Sequence, residues 1–147
     1  MRIAKSFLIN ALLVYLSLTI AQGGIGVMPT IIQHEVSPGE HISFETSISI
    51  DSTDKPENFT AEIMGMAMSL YGSRNAVPVD EDNYAISAQP FLKITPAEFH
   101  LEPGASQILL IEGDVPEDIS SGTRYALAEV MTNITEARIT GIVAAVE

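Results

Sequence analysis

Cysteine is absent from this 147-residue chain. That absence excludes disulfide bridges, thiolate metal sites, thiol catalysis and lipid attachment to an N-terminal cysteine. A chain of this length forms one domain that buries about two-thirds of the surface its unfolded form exposes. The sequence therefore predicts a fold that is stabilised by its core alone.

Basic residues are scarce. The chain has 7 lysines and arginines against 19 aspartates and glutamates, a net charge of −12. Such a surface repels phosphate groups, and no basic stripe offsets it, so we expect no nucleic-acid partner. The acidity favours solubility outside the cytoplasm over the alternative, attraction of divalent cations.

The N-terminus has the three parts of a secretory signal. Arg2 and Lys5 form a basic start, and an apolar run follows from Phe7 to Ala21. The small residues Ala21 and Gly23 occupy positions −3 and −1 relative to the predicted cleavage point. This pattern predicts a signal peptide over residues 1–23. The alternative is an uncleaved anchor, but the run is short for a bilayer span and contains polar residues.

Cleavage leaves a mature domain over residues 24–147. Loss of Arg2 and Lys5 leaves five basic residues against 19 acidic ones, a net charge of −14. We expect the domain to be secreted, periplasmic or on the cell surface. Contact with a membrane is expected only through the signal segment, if it is not cleaved.

Strand-and-turn patterns dominate the mature part. Alternate apolar residues from Ile42 to Ile50 predict a half-buried antiparallel strand, and Ile31 to Val36 predicts a strand before it. Pro38-Gly39 and Pro103-Gly104 predict type II turns, because proline fixes φ at the second position and glycine supplies a positive φ at the third.

The segment Phe59 to Tyr71 predicts a third strand, with a short helix as the alternative. Its apolar phase changes near Gly65, which a β-bulge would explain. Met64, Met66 and Met68 form a stripe of period two. Core packing is the usual role of such methionines, and an adaptable contact surface is the alternative.

The remaining chain completes a sandwich pattern. Gly72 to Tyr84 is predicted to be an irregular loop and the most suitable loop for function. Tyr125 is expected to tie a corner through its hydroxyl. Further strands are predicted at Ala85 to Thr95, with Pro90 at an edge or strand start, and at Phe99 to Leu101, Ile108 to Ile111, Thr123 to Ile134 and Ile139 to Val146. Seven to eight strands at this spacing predict an all-β, immunoglobulin-like antiparallel β-sandwich.

One run of residues carries a resemblance to a known group of domains. These are Pro96, Phe99, Leu101, Pro103-Gly104, Ser106-Gln107, Pro116, Gly122 and Tyr125. The run resembles that of PapD-like and related immunoglobulin-like domains of exported prokaryotic surface or pilus-assembly proteins. The resemblance implies a domain that acts through edge strands and surface patches. It departs from pilus chaperones in lacking a second sandwich domain and a basic pair that grips a terminal carboxylate.

No constellation of reactive groups stands out, so we expect no catalytic, cofactor-binding or metal-binding residues and no cofactor. His34, His41 and His100 lack ligand spacing. Asp80-Glu81-Asp82-Asn83 offers oxygen ligands but lacks the spaced frame of a calcium loop; Asp114, Glu117 and Asp118 have the same weakness. Asn58-Phe59-Thr60 and Asn133-Ile134-Thr135 are glycosylation sequons.

The final strand lacks a charge between Ile139 and Val146. At a sheet edge it would be a template for another strand, and otherwise it pairs within its own sheet. We expect a non-enzymatic, exported cell-envelope module with a protein or envelope partner. The alternatives are a periplasmic, pilus-chaperone-like factor that donates a strand, and a small hydrolase or cation-dependent carbohydrate binder that uses Asp80 to Asn83.

Overall fold

The computed structural model describes residues 24–68, 74–82, 85–132 and 139–143. The predicted signal peptide and the sequon at Asn133 lie outside these residues. Within them the chain forms strands and one 3-10 turn at Gln89–Phe91, which confirms the all-β class. The strands are β1 (Ile25–Met28), β2 (Ile31–Ile32), β3 (His41–Ile50), β4 (Glu57–Met68), β5 (Arg74–Val77), β6 (Leu92–Thr95), β7 (Glu98–Leu101), β8 (Ser106–Asp114), β9 (Ala126–Thr132) and β10 (Ile139–Val143).

Two sheets pack face to face. The four-stranded sheet has the order β1-β3-β8-β6, and the six-stranded sheet has the order β2-β10-β9-β4-β5, with β7 also paired to β4. All pairs are antiparallel except β2 with β10. The chain changes sheets between β1 and β2 at Pro29 and between β6 and β7 at Pro96, and both prolines follow cis peptide bonds.

Both predicted Pro-Gly turns are confirmed. Gly39 and Gly104 have φ values of 79° and 76°. The amide of Glu40 donates to the Ser37 carbonyl at 3.1 Å, and that of Ala105 donates to the Glu102 carbonyl at 2.9 Å. Each turn therefore has the positive φ and the hydrogen bond that its sequence predicts.

The core lies between the sheets and follows the predicted alternation. Ile42, Ile48 and Ile50 of β3 are buried in it, as are Leu92 and Ile94 of β6. Other members come from β4, β8 and β9: Phe59, Ala61, Ile63, Leu109, Ile111, Ala126, Ala128 and Val130. Burial of an aliphatic side chain of this size contributes roughly 1.5–3 kcal/mol. The core therefore explains how a chain without disulfides holds its fold.

The predicted bulge at Gly65 is wrong. Residues Phe59 to Met64 pair one to one with β9 along one edge of β4, and Gly65 to Met68 pair one to one with β5 along its other edge. Met64 and Met66 are buried with Leu127 in a second cluster, on the face of the sheet opposite Phe59. The apolar phase changes because this half of the strand is buried on both faces, and the two methionines pack as core residues.

Three predicted boundaries are corrected. The strand predicted over residues 31–36 is limited to Ile31–Ile32, and β1 precedes it. The predicted loop Gly72 to Tyr84 contains β5. Pro90 lies in the 3-10 turn, which leads into β6 and replaces the first half of the strand predicted over residues 85–95.

Candidate functional site

Residues 25–32 form a strap along one edge of the sandwich. Its first half, β1, pairs with β3, and its second half, β2, contributes only the parallel pairs Ile31 with Ile142 and Ile32 with Val143. At the crossing between them, the buried hydroxyl of Thr46 donates to the carbonyl oxygens of Met28 at 3.4 Å and Pro29 at 3.3 Å. The second half of the strap is therefore held to the six-stranded sheet by very short pairing.

The strap carries no charged side chain, although the chain as a whole has 26 charged residues. Met28 is 75% exposed and Ile31 is 53% exposed. Natural edge strands are usually blocked by lysine, proline, bulges or very short length. Only Pro29 and the shortness of β2 serve that purpose here, so the strap presents exposed apolar side chains on an uncharged edge.

Strand β10 lies beside the strap and is also uncharged. It pairs with β9 through all five of its residues. On its other side, β2 covers only Ile142 and Val143, and no other strand in the described part of the chain pairs there. The final strand therefore pairs within its own sheet, between β2 and β9, as the second alternative predicts. On the side of β2, residues 139–141 pair with no strand of the described chain.

The predicted loop acids do not gather into a site. Asp80 and Glu81 are exposed, whereas Asp82 is half-buried and accepts a hydrogen bond from the Ser87 hydroxyl. Asn83 lies outside the described residues. Among the residues that are described, no group of three histidine, aspartate or glutamate side chains is placed to hold a metal ion.

The three histidines have separate partners. His41 Nδ1 lies 2.7 Å from Asp114 Oδ1 on the surface. His100 contacts Asn58 Oδ1 at 2.9 Å and Glu102 Oε1 at 3.3 Å. The ring of His34 meets Phe44 edge-on, with the ring centroids 5.6 Å apart. The structure therefore does not bring these side chains together.

One ionisable group has a shifted pKa at the end of the sandwich where the strap begins. The backbone amide and the hydroxyl of Thr53 both donate to Asp51 Oδ1 at 2.8 Å, and they hold the pKa of that exposed carboxyl below its usual range. The backbone amide of Asp51 donates to the Gly24 carbonyl at 3.3 Å. Asp51 therefore organises a turn next to β1, as aspartate commonly does by accepting bonds from nearby amides.

Sequence reasoning missed the structural role of Arg124. Its side chain is 7% exposed, and Nη2 donates at 2.8 Å to both the carbonyl oxygen and the hydroxyl of Ser120. The corner hydrogen bond predicted for the Tyr125 hydroxyl is absent from the described structure. The backbone of Tyr125 instead bonds to Ile86 and Ala88, both at 2.8 Å, while its ring packs on the second cluster.

Two remaining features are the first glycosylation sequon and the possibility of a membrane-spanning helix. Asn58 of the first sequon is exposed on β4, so that site is accessible, and its glycosylation stays a prediction. No helix in the described part of the chain has the length and apolar character needed to cross a membrane.

Comparison with known proteins identifies the fold. No protein-family model matches the sequence, and no curated protein matches it. The chain is similar in structure to a family 123 glycoside hydrolase from Clostridium perfringens, with a TM-score of 0.58 and 11% identity over 84% of this chain and 27% of that chain. It is also similar to a chaperone and tip adhesin complex of CFA/I fimbriae biogenesis, with a TM-score of 0.54 and 10% identity over 82% of this chain and 54% of that chain. The E. coli chaperone DraB gives a TM-score of 0.50 at 12% identity, over 84% of this chain and 54% of that chain.

These similarities define the class of domain. The chain is an immunoglobulin-like β-sandwich, as its strand spacing predicts. Within that class it has the PapD-like fold of the fimbrial chaperones. The chain spans 27% of the hydrolase chain and 54% of each of the other two chains, and at identities of 10% to 12% the similarity concerns fold alone.

Proposed function

We propose that this protein is an exported, non-enzymatic module of the cell envelope that binds another protein through its strap and β10. The carrying observation is the uncharged edge, where β2 covers β10 through only two residue pairs. A partner strand that replaced β2 would gain main-chain hydrogen bonds along β10, which is how strand addition generates affinity.

Export is supported by the signal pattern of residues 1–23 and by the high negative charge. The fold similarity to fimbrial chaperones is consistent with a location outside the cytoplasm, since one similar protein, SfaE, is a periplasmic chaperone. The non-enzymatic interpretation is supported by the separate partners of the three histidines. It is also supported by the described part of the chain, where no three acidic or histidine side chains could hold a metal ion.

A second candidate function is a chaperone-like factor that lends its edge strand to exported subunits during assembly. The observation that favours it is the PapD-like fold combined with residues 139–141, which pair with no strand of the described chain on the side of β2. The two functions differ in their partners. A chaperone carries one subunit in fixed stoichiometry, whereas an envelope module associates with resident envelope components.

The test uses the full chain, expressed from its own gene with a C-terminal affinity tag on a flexible linker. We expect it in the extracytoplasmic fraction, shortened at Gly23, and associated with a protein that mass spectrometry identifies. A cross-link between Ile31→Cys and Ile142→Cys, which fastens β2 to β10, is expected to abolish this association. The absence of native cysteine makes the cross-link specific.

The matched control is a cross-link between Thr60→Cys and Glu98→Cys, which joins register neighbours on the opposite side of the six-stranded sheet. It is expected to leave the association intact. A full chain that stays cytoplasmic, or an association that survives the first cross-link, would contradict the proposal.

A further inference from the structure

The outer face of the four-stranded sheet has an uncharged patch next to the strap. In one row across the sheet, Met28 of β1 is opposite Ser47 of β3, which is opposite Ile108 of β8. The next row consists of Gly26, Ser49 and Ser106. We call these six residues the serine-apolar patch. Met28 is 75% exposed and Ile108 is 56% exposed, and the small neighbours leave both side chains accessible.

Carboxylates border this patch on one side. Glu45 pairs with Leu110 in the next row, and Glu112 lies between Ser43 and Lys93 in the row after it. Glu45 is exposed and Glu112 is half-exposed, and neither is bonded to another residue in the described ranges. Lys93 offsets part of the charge of Glu112. The face therefore combines an apolar surface with a net negative charge next to it, at Glu45.

We propose that this face is a docking surface for a basic polypeptide segment, in which apolar side chains are followed by lysine or arginine side chains on the same side of the segment. The inference rests on the contact function proposed above and adds the chemistry of the partner. Apolar side chains would cover Met28 and Ile108 while cations approach Glu45 and Glu112. Charge complementarity of this kind steers association and fixes register.

The charge of the chain argues against a second copy as the occupant. Each copy carries a net charge of −12, so two such faces would repel each other. The patch also continues into the strap, because Gly26 and Met28 belong to both. A single extended partner segment can therefore contact the edge and this face together.

The experiment uses a peptide of two valines followed by two lysines, each separated from the next by a serine. Its binding to the full-length protein is measured by methyl NMR. We expect the methyl resonances of Ile108 and Met28 to shift, with an affinity that falls as salt rises. Ile108→Ser is expected to abolish saturable binding. Glu45→Gln and Glu112→Gln are each expected to weaken it by about 1.5- to 5-fold, the range measured for exposed charge pairs.

The matched controls are Ile86→Ser, at an apolar residue that is 47% exposed outside this face, and Glu35→Gln, at another exposed acid. Both should bind the peptide as the unmodified protein does. Equal binding of the same peptide with glutamate in place of lysine, or binding that persists in Ile108→Ser, would overturn the proposal. Shifts at Ile108 that depend on protein concentration without peptide would overturn it too, because they would assign the face to a second copy. If the peptide does not bind but the tagged chain still co-purifies with a partner protein, the docking face alone is rejected. If neither the peptide nor a partner protein binds, the proposed contact function is rejected too.

Discussion

Arg124 is a buried cation that, within the described residues, is held by neutral groups and by no opposite charge. Among Lys55, Lys93 and Arg124, only Arg124 is buried, and its hydrogen-bond acceptors are neutral oxygens of Ser120 and Thr123. A buried guanidinium stays charged, so its cost of desolvation must be offset by such bonds. The bonds fasten the loop that precedes β9 to the start of that strand.

Replacement of this residue is expected to destabilise the fold. Arg124→Met removes the charge-assisted hydrogen bonds to Ser120, so the free energy of unfolding should fall by about 1–3 kcal/mol. Urea denaturation measures the change. Lys93→Met is the control, since Lys93 is exposed, and it should change stability by less than about 0.5 kcal/mol. Equal midpoints for the two variants would show that Arg124 has no structural role.

The structural roles of individual residues could be predicted only in part from the sequence. The two Pro-Gly turns were predictable because their conformation follows from local dihedral preferences at Gly39 and Gly104. Arg124 was not, because its burial depends on how the loop over residues 115–122 folds back onto it. The sequence places Arg124 among a few scattered cations and contains no signal of burial.

At the scale of elements, long alternating strands were predictable and short ones were not. β3 follows its period-two pattern over ten residues. β5 is a four-residue strand within a polar stretch, and it forms a strand because it pairs with Gly65 to Met68. β1 contains a glycine and begins one residue after the predicted cleavage site, so the sequence did not predict its pairing with β3.

Close approach between β8 and the turn before β6 gives a second prediction. A Cβ atom at Gly113 would overlap the carbonyl oxygen of Phe91, which is fixed backbone. Gly113→Ala is therefore expected to lower the free energy of unfolding by about 1–3 kcal/mol, as overpacking does.

The control for Gly113 is Gly24→Ala, where nothing lies within 4 Å of the added atom. A glycine replaced at a compatible site usually gains about 0.4–1 kcal/mol. Thermal unfolding of the two variants should therefore move in different directions. A Gly113→Ala variant as stable as Gly24→Ala would show that the turn and β8 do not approach closely.

At the scale of the whole molecule, the fold class follows from strand spacing, but the candidate site does not. The site depends on pairing between β2 and β10, which are more than a hundred residues apart in the sequence. The sequence did indicate that the final strand lacks protective charges. Only the topology shows that its neighbour is a two-residue strand, and that the uncharged strap lies at the same edge.

Amide hydrogen exchange tests the central claim that this edge is weakly closed. Amides of β8, which lies between β3 and β6, should exchange only through global unfolding, with a free energy of opening of about 5–15 kcal/mol. Amides of Ile31 and Ile32 should open locally at a small fraction of that cost and exchange orders of magnitude faster. Protection of the strap equal to that of β8 would mean that β10 is permanently covered, and it would contradict the account of how this protein makes its contacts.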